Sequence, residues 1–413
     1  MSAFQFACNE CGTRYAEDRS LYVCPACAAA QVPGGPTRGV LRVELEERDL
    51  PRRWPEALLS SPAGLAPFLP VRGPESFFSF AAGGTPLLPV PRLRRELGMP
   101  HLFLKDDTRN PSGSTKDRAS ALVVAKAIEY GYETVAAAST GNAATALAAA
   151  GAASGMKTVV FVPAAAPPAK LVQMSSYGAR LVPVAGTYDQ AFELSLEACA
   201  RFGWYNRNTA LNPFTVEGKK TASLEIARDL GEEAPDAVVV PTGDGVIIAG
   251  IAKGFADLVR CGLLPQAPRL VAVQPERSGS IARALRSGAA EITPEPDAGS
   301  VADSLTVSAP RNAVMALKDV RATGGCGILV SEDAILDSIP RLAAASSVFA
   351  EPAAAIALAG LEIALAEGKV GRGERVVLLV TGTGLKDVPA AARRVKVPAP
   401  VTPALAAVEA FLG

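Results

Sequence analysis

Histidine is nearly missing from this chain, with one residue, His101, in 413. Any mechanism built on a histidine base therefore has a single candidate, and it lies beside a proline. Net charge is missing as well: 41 basic residues face 41 acidic ones. Nothing advertises a polyanionic partner, so no nucleic acid is expected. Long apolar runs are also absent. The best candidate, residues 143–153, is broken by Thr145 and Gly151 and is too short to span a bilayer, so no membrane partner is expected. The opening "MSAFQFACNECG" lacks the basic and apolar regions of a signal peptide, and a cytoplasmic location is the expectation.

Seven cysteines are present, and they divide unevenly. Cys8, Cys11, Cys24 and Cys27 form two C-x2-C knuckles. This spacing suits four thiolates tetrahedral around one structural Zn²⁺, with Pro25 turning the second knuckle. Two disulfides or four idle thiols are the alternatives, and the absence of a signal peptide argues against disulfides. Cys199, Cys261 and Cys326 are scattered singly and read as small core residues.

Residues 31–75 are rich in proline, glycine and arginine and read as a linker that wraps rather than packs. Beyond them, short β-branched runs alternate with helical stretches. "HLFLKDD", "ETVAAAST", "KTVVFVP", "GARLVPV", "PDAVVVPTGDG", "PRLVAVQPE" and "ERVVLLVTGTG" predict strands of doubly wound α/β sheets. The closing "TPALAAVEAFLG" predicts one more helix. Three strands run into small-residue loops, "STGNAA", "TGDGVI" and "TGTGLKD". In an open parallel sheet such loops converge on one crevice beyond the carboxyl ends of the strands, although each glycine-rich loop alone is also simply a good turn. Two nucleotide readings fail: "GDGVIIAG" lacks the G-x-G-x-x-G spacing, and "SGSTK" lacks the P-loop order. What remains suits a single phosphate monoester at a helix N-terminus.

The stretch "NPSGSTKDRAS" places Lys116 where a turn hands over to a helix. Ser114 and Asp117 read as a capping box, which puts an ammonium against the positive end of the helix dipole. Lysines disfavoured as ammonium ions are the usual Schiff-base formers, and one beside a phosphate cradle suggests pyridoxal 5'-phosphate.

Taken together, "NPSGSTKDRAS", "STGNAA", "YNRNTALNPFTVEGKKT", "EPAAA" and "TGTGLKD" resemble the threonine synthases of the tryptophan-synthase-β-like, fold type II pyridoxal phosphate family, in order from about residue 80 to 390. The resemblance implies an α/β fold of two doubly wound open-sheet domains with the cofactor in the cleft, plus a small N-terminal zinc ribbon. It divides the chain into a ribbon-like segment (1–36), a linker and first part of the large domain (37–112), a small α/β domain (113–200) and the remainder of the large domain (201–413). It implies a lyase that converts O-phosphohomoserine and water to L-threonine and phosphate, assembled as a homodimer. Lys116 would carry the cofactor as an imine and act as the catalytic base. Asn142 would bond the cofactor's phenolic oxygen, and Gly243, Asp244, Gly245, Val246 and Ile247 would wrap its phosphate. Thr381 would face the pyridine nitrogen. For the substrate's own phosphate the resemblance points to Ser139, Thr140, Arg180 and Asn206, with Asn208 as the replacement for Asn206. Thr115 and Thr383 depart from many relatives, which carry Phe and His or Asn there. A cysteate synthase-like enzyme, a threonine or serine dehydratase and a specialised-metabolism enzyme share most of these motifs. A ribbon-bearing regulator with an inactive enzyme domain is the alternative from another class.

Overall fold

A computed structural model describes residues 4–32, 34–54, 62–163, 168–231 and 234–413. The largest sheet has six strands in the order Cys326–Val330, Arg269–Pro275, Ala237–Pro241, Val376–Val380, Leu102–Asp106 and Leu87–Pro89. All neighbours are parallel except the last pair. A parallel strand covered by helices on both faces must be apolar along its whole length rather than alternating. "VVLLV" at Val376–Val380 meets that demand and is buried at every position. The helix Pro352–Ala366 is apolar nearly all round for the same reason, lying between the sheet and the helix Glu332–Ser346.

A second sheet has four parallel strands in the order Arg180–Val184, Lys157–Pro163, Thr134–Ala138 and Tyr205–Asn206. Both sheets send the carboxyl ends of their central strands into glycine-bearing loops. These two sheets are the pair of open α/β sheets expected of fold type II. The helix Lys116–Glu129 links them, packing on the helices Asn142–Ser154 and Phe214–Lys219. The second approach is close enough that a Cβ on Gly218 would meet the carbonyl oxygen of Arg118 at 2.4 Å.

The N-terminal cysteines sit on a small antiparallel sheet of Arg14–Ala16, Phe4–Cys8 and Leu41–Leu45. Its third strand comes from the segment expected to be a wrapping linker, which instead packs. Leu41 and Val43 are fully buried, and Leu65, Phe68 and Leu69 join the same core. Proline and glycine mark the bends of this segment, while its leucines and phenylalanines pack. Residues 33 and 55–61 of it lie outside the described residues.

Candidate active site

The loop that delivers Lys116 is sewn to the loop after Val376–Val380. Thr115 N donates to Thr381 O at 2.8 Å, and Thr383 N donates to Gly113 O at 3.0 Å. Gly113 has φ +82°, which a side chain would strain. The expected capping box does not form. The helix begins at Lys116 with Thr115 in the cap position and no side-chain cap. Asp117 instead accepts from Ser112 N at 2.8 Å, and Ser114 Oγ is buried without a partner. The reason is that backbone bonds to the 381–383 loop fix residues 113–115 and turn the serine away from the helix.

Part of the Lys116 side chain stays open to the cleft. Burial nevertheless pushes its ammonium down to about 8, against the attraction of Glu351 and Asp244 and with the help of Arg207. Desolvation is the largest cause.

Asn142 opens its helix from the "STGN" loop and is buried. Its Nδ2 donates to Glu351 Oε1 at 2.7 Å, while its Oδ1 has no partner. Glu351 N in turn donates to Gly382 O at 3.1 Å. A Cβ at Gly382 would come within 2.2 Å of Glu351 Oε1, so this glycine is what lets the carboxyl reach the asparagine. Burial raises Glu351 above the ordinary carboxylate range. Within "EPAAA", Glu351 had no role evident from sequence alone; its position between Asn142 and the 381–383 loop supplies one. Thr381, also buried, lies one step beyond its strand.

The loop after Ala237–Pro241 forms the cradle. Gly245 has φ +87° and caps the helix Val246–Arg260 with no side-chain bond. The first backbone amides of a helix have no intrahelical acceptor and point outward. Val246 and Ile247 send their side chains into the core, so their bulk does not obstruct those amides. Asp244 turns its carboxylate to Arg311 N at 3.1 Å, away from its own loop's amides. Added Cβ atoms at Gly243 and Gly245 would meet Leu305 Cα at 3.1 Å and Ala316 Cβ at 2.8 Å. An uncapped helix start, a depressed lysine and orphaned polar atoms on Asn142 and Ser114 together fit pyridoxal phosphate.

The substrate side differs from expectation at one residue. Ser139 and Thr140 lie half-buried at the carboxyl end of Thr134–Ala138. Arg180 is exposed and begins its strand, paired with Val159 near the amino ends. The strands are parallel, so Arg180 lies at the end of the sheet opposite the "STGN" loop, and its place in the site is withdrawn. Asn206 is buried and accepts from Asn208 N through Oδ1 at 2.8 Å. Asn208 is spent on structure, accepting from Ala138 N and donating to Ser195 Oγ, both at 2.8 Å. It does not replace Asn206.

Two cations escaped the sequence reading. Arg207 is fully buried, and its Nε and Nη2 have no partner among the described residues. Lys219 is buried with Nζ 3.3 Å from Thr215 O, and desolvation holds it well below its ordinary value. Both act electrostatically on the neighbourhood of Lys116. Their only sequence signal was their place in "YNRNTALNPFTVEGKKT", which looks like helix and loop surface.

The four N-terminal cysteine Sγ atoms all lie within 4.8 Å of one another, with Cys8–Cys27 and Cys11–Cys24 at 3.7 Å. Four thiolates on a tetrahedron about 2.3 Å from a zinc ion would be about 3.8 Å apart. The segment is not a detached appendage. Tyr22 Oη accepts from Asn206 N at 3.1 Å, and Thr37 N donates to Arg311 O at 2.9 Å. Phe4 and Phe6 meet Phe214 edge-on, each at 5.8 Å.

Residues 78–382 match the family described as pyridoxal-phosphate dependent enzyme. A threonine synthase of Methanosarcina acetivorans is 35% identical over 386 residues, 93% of this chain and 92% of that protein. A threonine synthase of Methanocaldococcus jannaschii is 37% identical over 302 residues, covering 73% and 74%. Among solved structures, the processed form of threonine deaminase isoform 2 from Solanum lycopersicum superposes with a TM-score of 0.65 at 23% identity, over 75% of this chain and 86% of that one, a likeness of fold.

Proposed function

Because this chain belongs to the pyridoxal-phosphate dependent enzyme family, we propose that it is a threonine synthase, converting O-phosphohomoserine and water to L-threonine and phosphate. The observation that carries this is the likeness to a threonine synthase along nearly the whole of both chains. It extends the reading beyond the general fold, which racemases and ammonia-lyases share.

Lys116, Asn142, Thr381 and the amides of Gly243, Asp244, Gly245, Val246 and Ile247 would hold the cofactor. Bound pyridoxal phosphate supplies an electron sink for the charge left when a proton leaves the carbon bearing the amino group. Lys116 is the group that moves that proton. With its ammonium held near 8, roughly a tenth is free amine at pH 7, enough to act as nucleophile and base. Thr381 would offer the pyridine nitrogen a hydroxyl rather than a carboxylate, which would leave that nitrogen unprotonated. Asn142, fixed by Glu351 at 2.7 Å, would orient the phenolic oxygen. Ser139, Thr140 and Asn206 line the substrate side. Phosphate leaves from the γ carbon and water adds at the β carbon. The departing phosphate is itself an acid and base, so a site without histidine is sufficient.

A product assay tests this directly. Purified enzyme given O-phosphohomoserine should release phosphate and L-threonine in equal amounts. Turnover of L-threonine or O-phosphoserine in its place would retain the fold and Lys116 but replace the substrate.

The cysteine segment belongs to the same reading as a structural zinc site, on the strength of its sulfur spacing. The full-length protein should carry about one zinc per chain, and stripping it with a chelator should lower Tm by several degrees. Cys24→Ser should do both at once. Metal-free protein with an unchanged Tm would remove zinc from this account. The homodimer expected from the family resemblance, and a cytoplasmic location, remain part of the proposal. Among the described residues no helix is long and apolar enough to cross a membrane.

A further inference from the structure

Among the described residues, Arg207 is a buried charged group left largely unsatisfied. Its side chain is fully buried, yet only Nη1 has a partner, Thr209 Oγ1 at 2.6 Å. Nε and Nη2, the two donors along one edge of the guanidinium, have none among the described residues. Two other buried cations are treated differently. Arg118 and Lys220 are each met by two carboxylates. Asp117, which acts on Arg207 through space, is bonded to Ser112 N instead. Leaving a guanidinium edge buried and unbonded is costly. The cost is offset when a ligand brings oxygens to it, and the Nε–Nη2 edge is the face that takes two oxygens of one phosphate.

The placement says which phosphate. Arg207 follows the strand Tyr205–Asn206, the parallel neighbour of Thr134–Ala138. Its own N donates to Ala136 O at 2.8 Å, and the next residue, Asn208, accepts from Ala138 N. Arg207 therefore leaves the small sheet at the same end as Ser139 and Thr140. The cofactor's phosphate has its cradle on the other sheet, at Gly243 and Gly245.

We propose that Arg207 is the specificity-determining anchor of the substrate's phosphate, gripping two of its oxygens through Nε and Nη2 while Ser139 and Thr140 close the other side. This role rests on the threonine synthase reading for the identity of the substrate, but not for the anion site. It fills the place that Arg180 cannot occupy from the far end of the sheet.

The test uses holoenzyme, inorganic phosphate as the probe, and the wild type beside Arg207→Met and Arg207→Lys. Inorganic phosphate should inhibit the wild type competitively against O-phosphohomoserine and raise its Tm. Arg207→Met should raise the phosphate inhibition constant and the KM for O-phosphohomoserine together, each by at least ~30-fold. Its bound-cofactor absorption should be unchanged, a split that a general loss of structure would not give. Arg207→Lys keeps the charge, loses the fork and should recover part of the affinity. An unchanged phosphate inhibition constant in either folded variant overturns the assignment. The two readings fail separately. A wild type that ignores O-phosphohomoserine but gains Tm from phosphate only when Arg207 is present defeats the substrate reading and supports the anion site. Normal turnover with phosphate inhibition indifferent to residue 207 does the reverse.

Discussion

Lys116→Ala should lower turnover of O-phosphohomoserine by on the order of 10⁴-fold or more, because one group is asked to be nucleophile, anchor and base in turn. The variant should also lose its yellow colour on gel filtration, since the amides of the cradle would hold the cofactor without a covalent tether. A variant that kept either the colour or the rate would remove Lys116 from the chemistry. A stability measurement adds an independent reading with a definite sign. The folded ammonium is held near 8, below its ordinary 10.5, so below pH 8 the native state bears a charge it would rather shed. Between about 8 and 10.5 the unfolded chain binds the extra proton, and wild-type stability rises with pH through that window. Cofactor-free Lys116→Met should therefore be more stable than wild type at pH 7, by roughly 1–3 kcal/mol once its partial exposure is discounted. That advantage should fade by pH 10.5. An advantage that stayed constant across the window would mean the lysine is not desolvated.

Arg118→Met should be the most damaging single change away from the reacting groups, at roughly 3–5 kcal/mol. Arg118 bonds Asp107 through Nε and Nη2 at 2.8 and 2.7 Å. It bonds Glu225 through Nη1 and Nη2 at 2.7 and 2.8 Å. Lys105 reaches the same Glu225 at 2.8 Å, and all four side chains are buried. Two buried cations thus face two buried carboxylates, with Asp229 3.3 Å from Lys105 at the rim, and deleting Arg118 strands a negative charge in the core. Arg118 and its partners hold Asp107 and Glu225 below the usual carboxylate range, although burial alone would raise them. The stability they contribute is complete above the unfolded carboxylate values and is lost as pH falls through the folded ones. In the methionine variant a carboxylate should protonate more readily, so the gap to wild type should narrow between pH 7.5 and 5. Urea midpoints at the two pH values check this. A gap under about 1 kcal/mol at pH 7.5 would mean that Arg118 is not the keystone of this cluster. Because Arg118 lies two positions beyond Lys116 on one helix, turnover should fall as well.

The alternation of strand and helix was open to view in the sequence because parallel strands buried on both faces need unbroken β-branched runs. "VVFV" and "VVLLV" leave little else to form. Strands without that need escaped. Leu87–Pro89 and Tyr205–Asn206 are two or three residues long, and Gly327 sits within Cys326–Val330. Lys116, Asn142 and the cradle glycines were legible because a loop that approaches a ligand must be small, and small loops after strands stand out. Arg180 failed for a reason that was available. A residue that begins a parallel strand lies at the wrong end for a ligand, by the same carboxyl-end rule that picked out the glycine loops. Arg207, Arg118 and Lys220 were not legible, since a buried charge and a solvated one are spelled alike. Only the fold supplies the carboxylates of two of them and withholds any from the third.

The aromatic seam between the first strand and the body bears on how the chain is made. Phe4 and Phe6 rest on Phe214, and Lys126 Nζ lies over the rings of Phe4, Tyr130 and Phe214 at 5.0, 4.6 and 5.4 Å. On the ribosome the first two phenylalanines emerge roughly 200 residues before their partner, an interval of about 10–40 s at ordinary rates of elongation. Until then the face of Phe4–Cys8 that meets Phe214 lacks that partner. Capture of a metal ion by the four neighbouring thiols within the first 27 residues would pin this hairpin shut during the wait. With a metal bound, the knuckles would serve as a nascent-chain clasp, set before any residue that binds substrate has been synthesised.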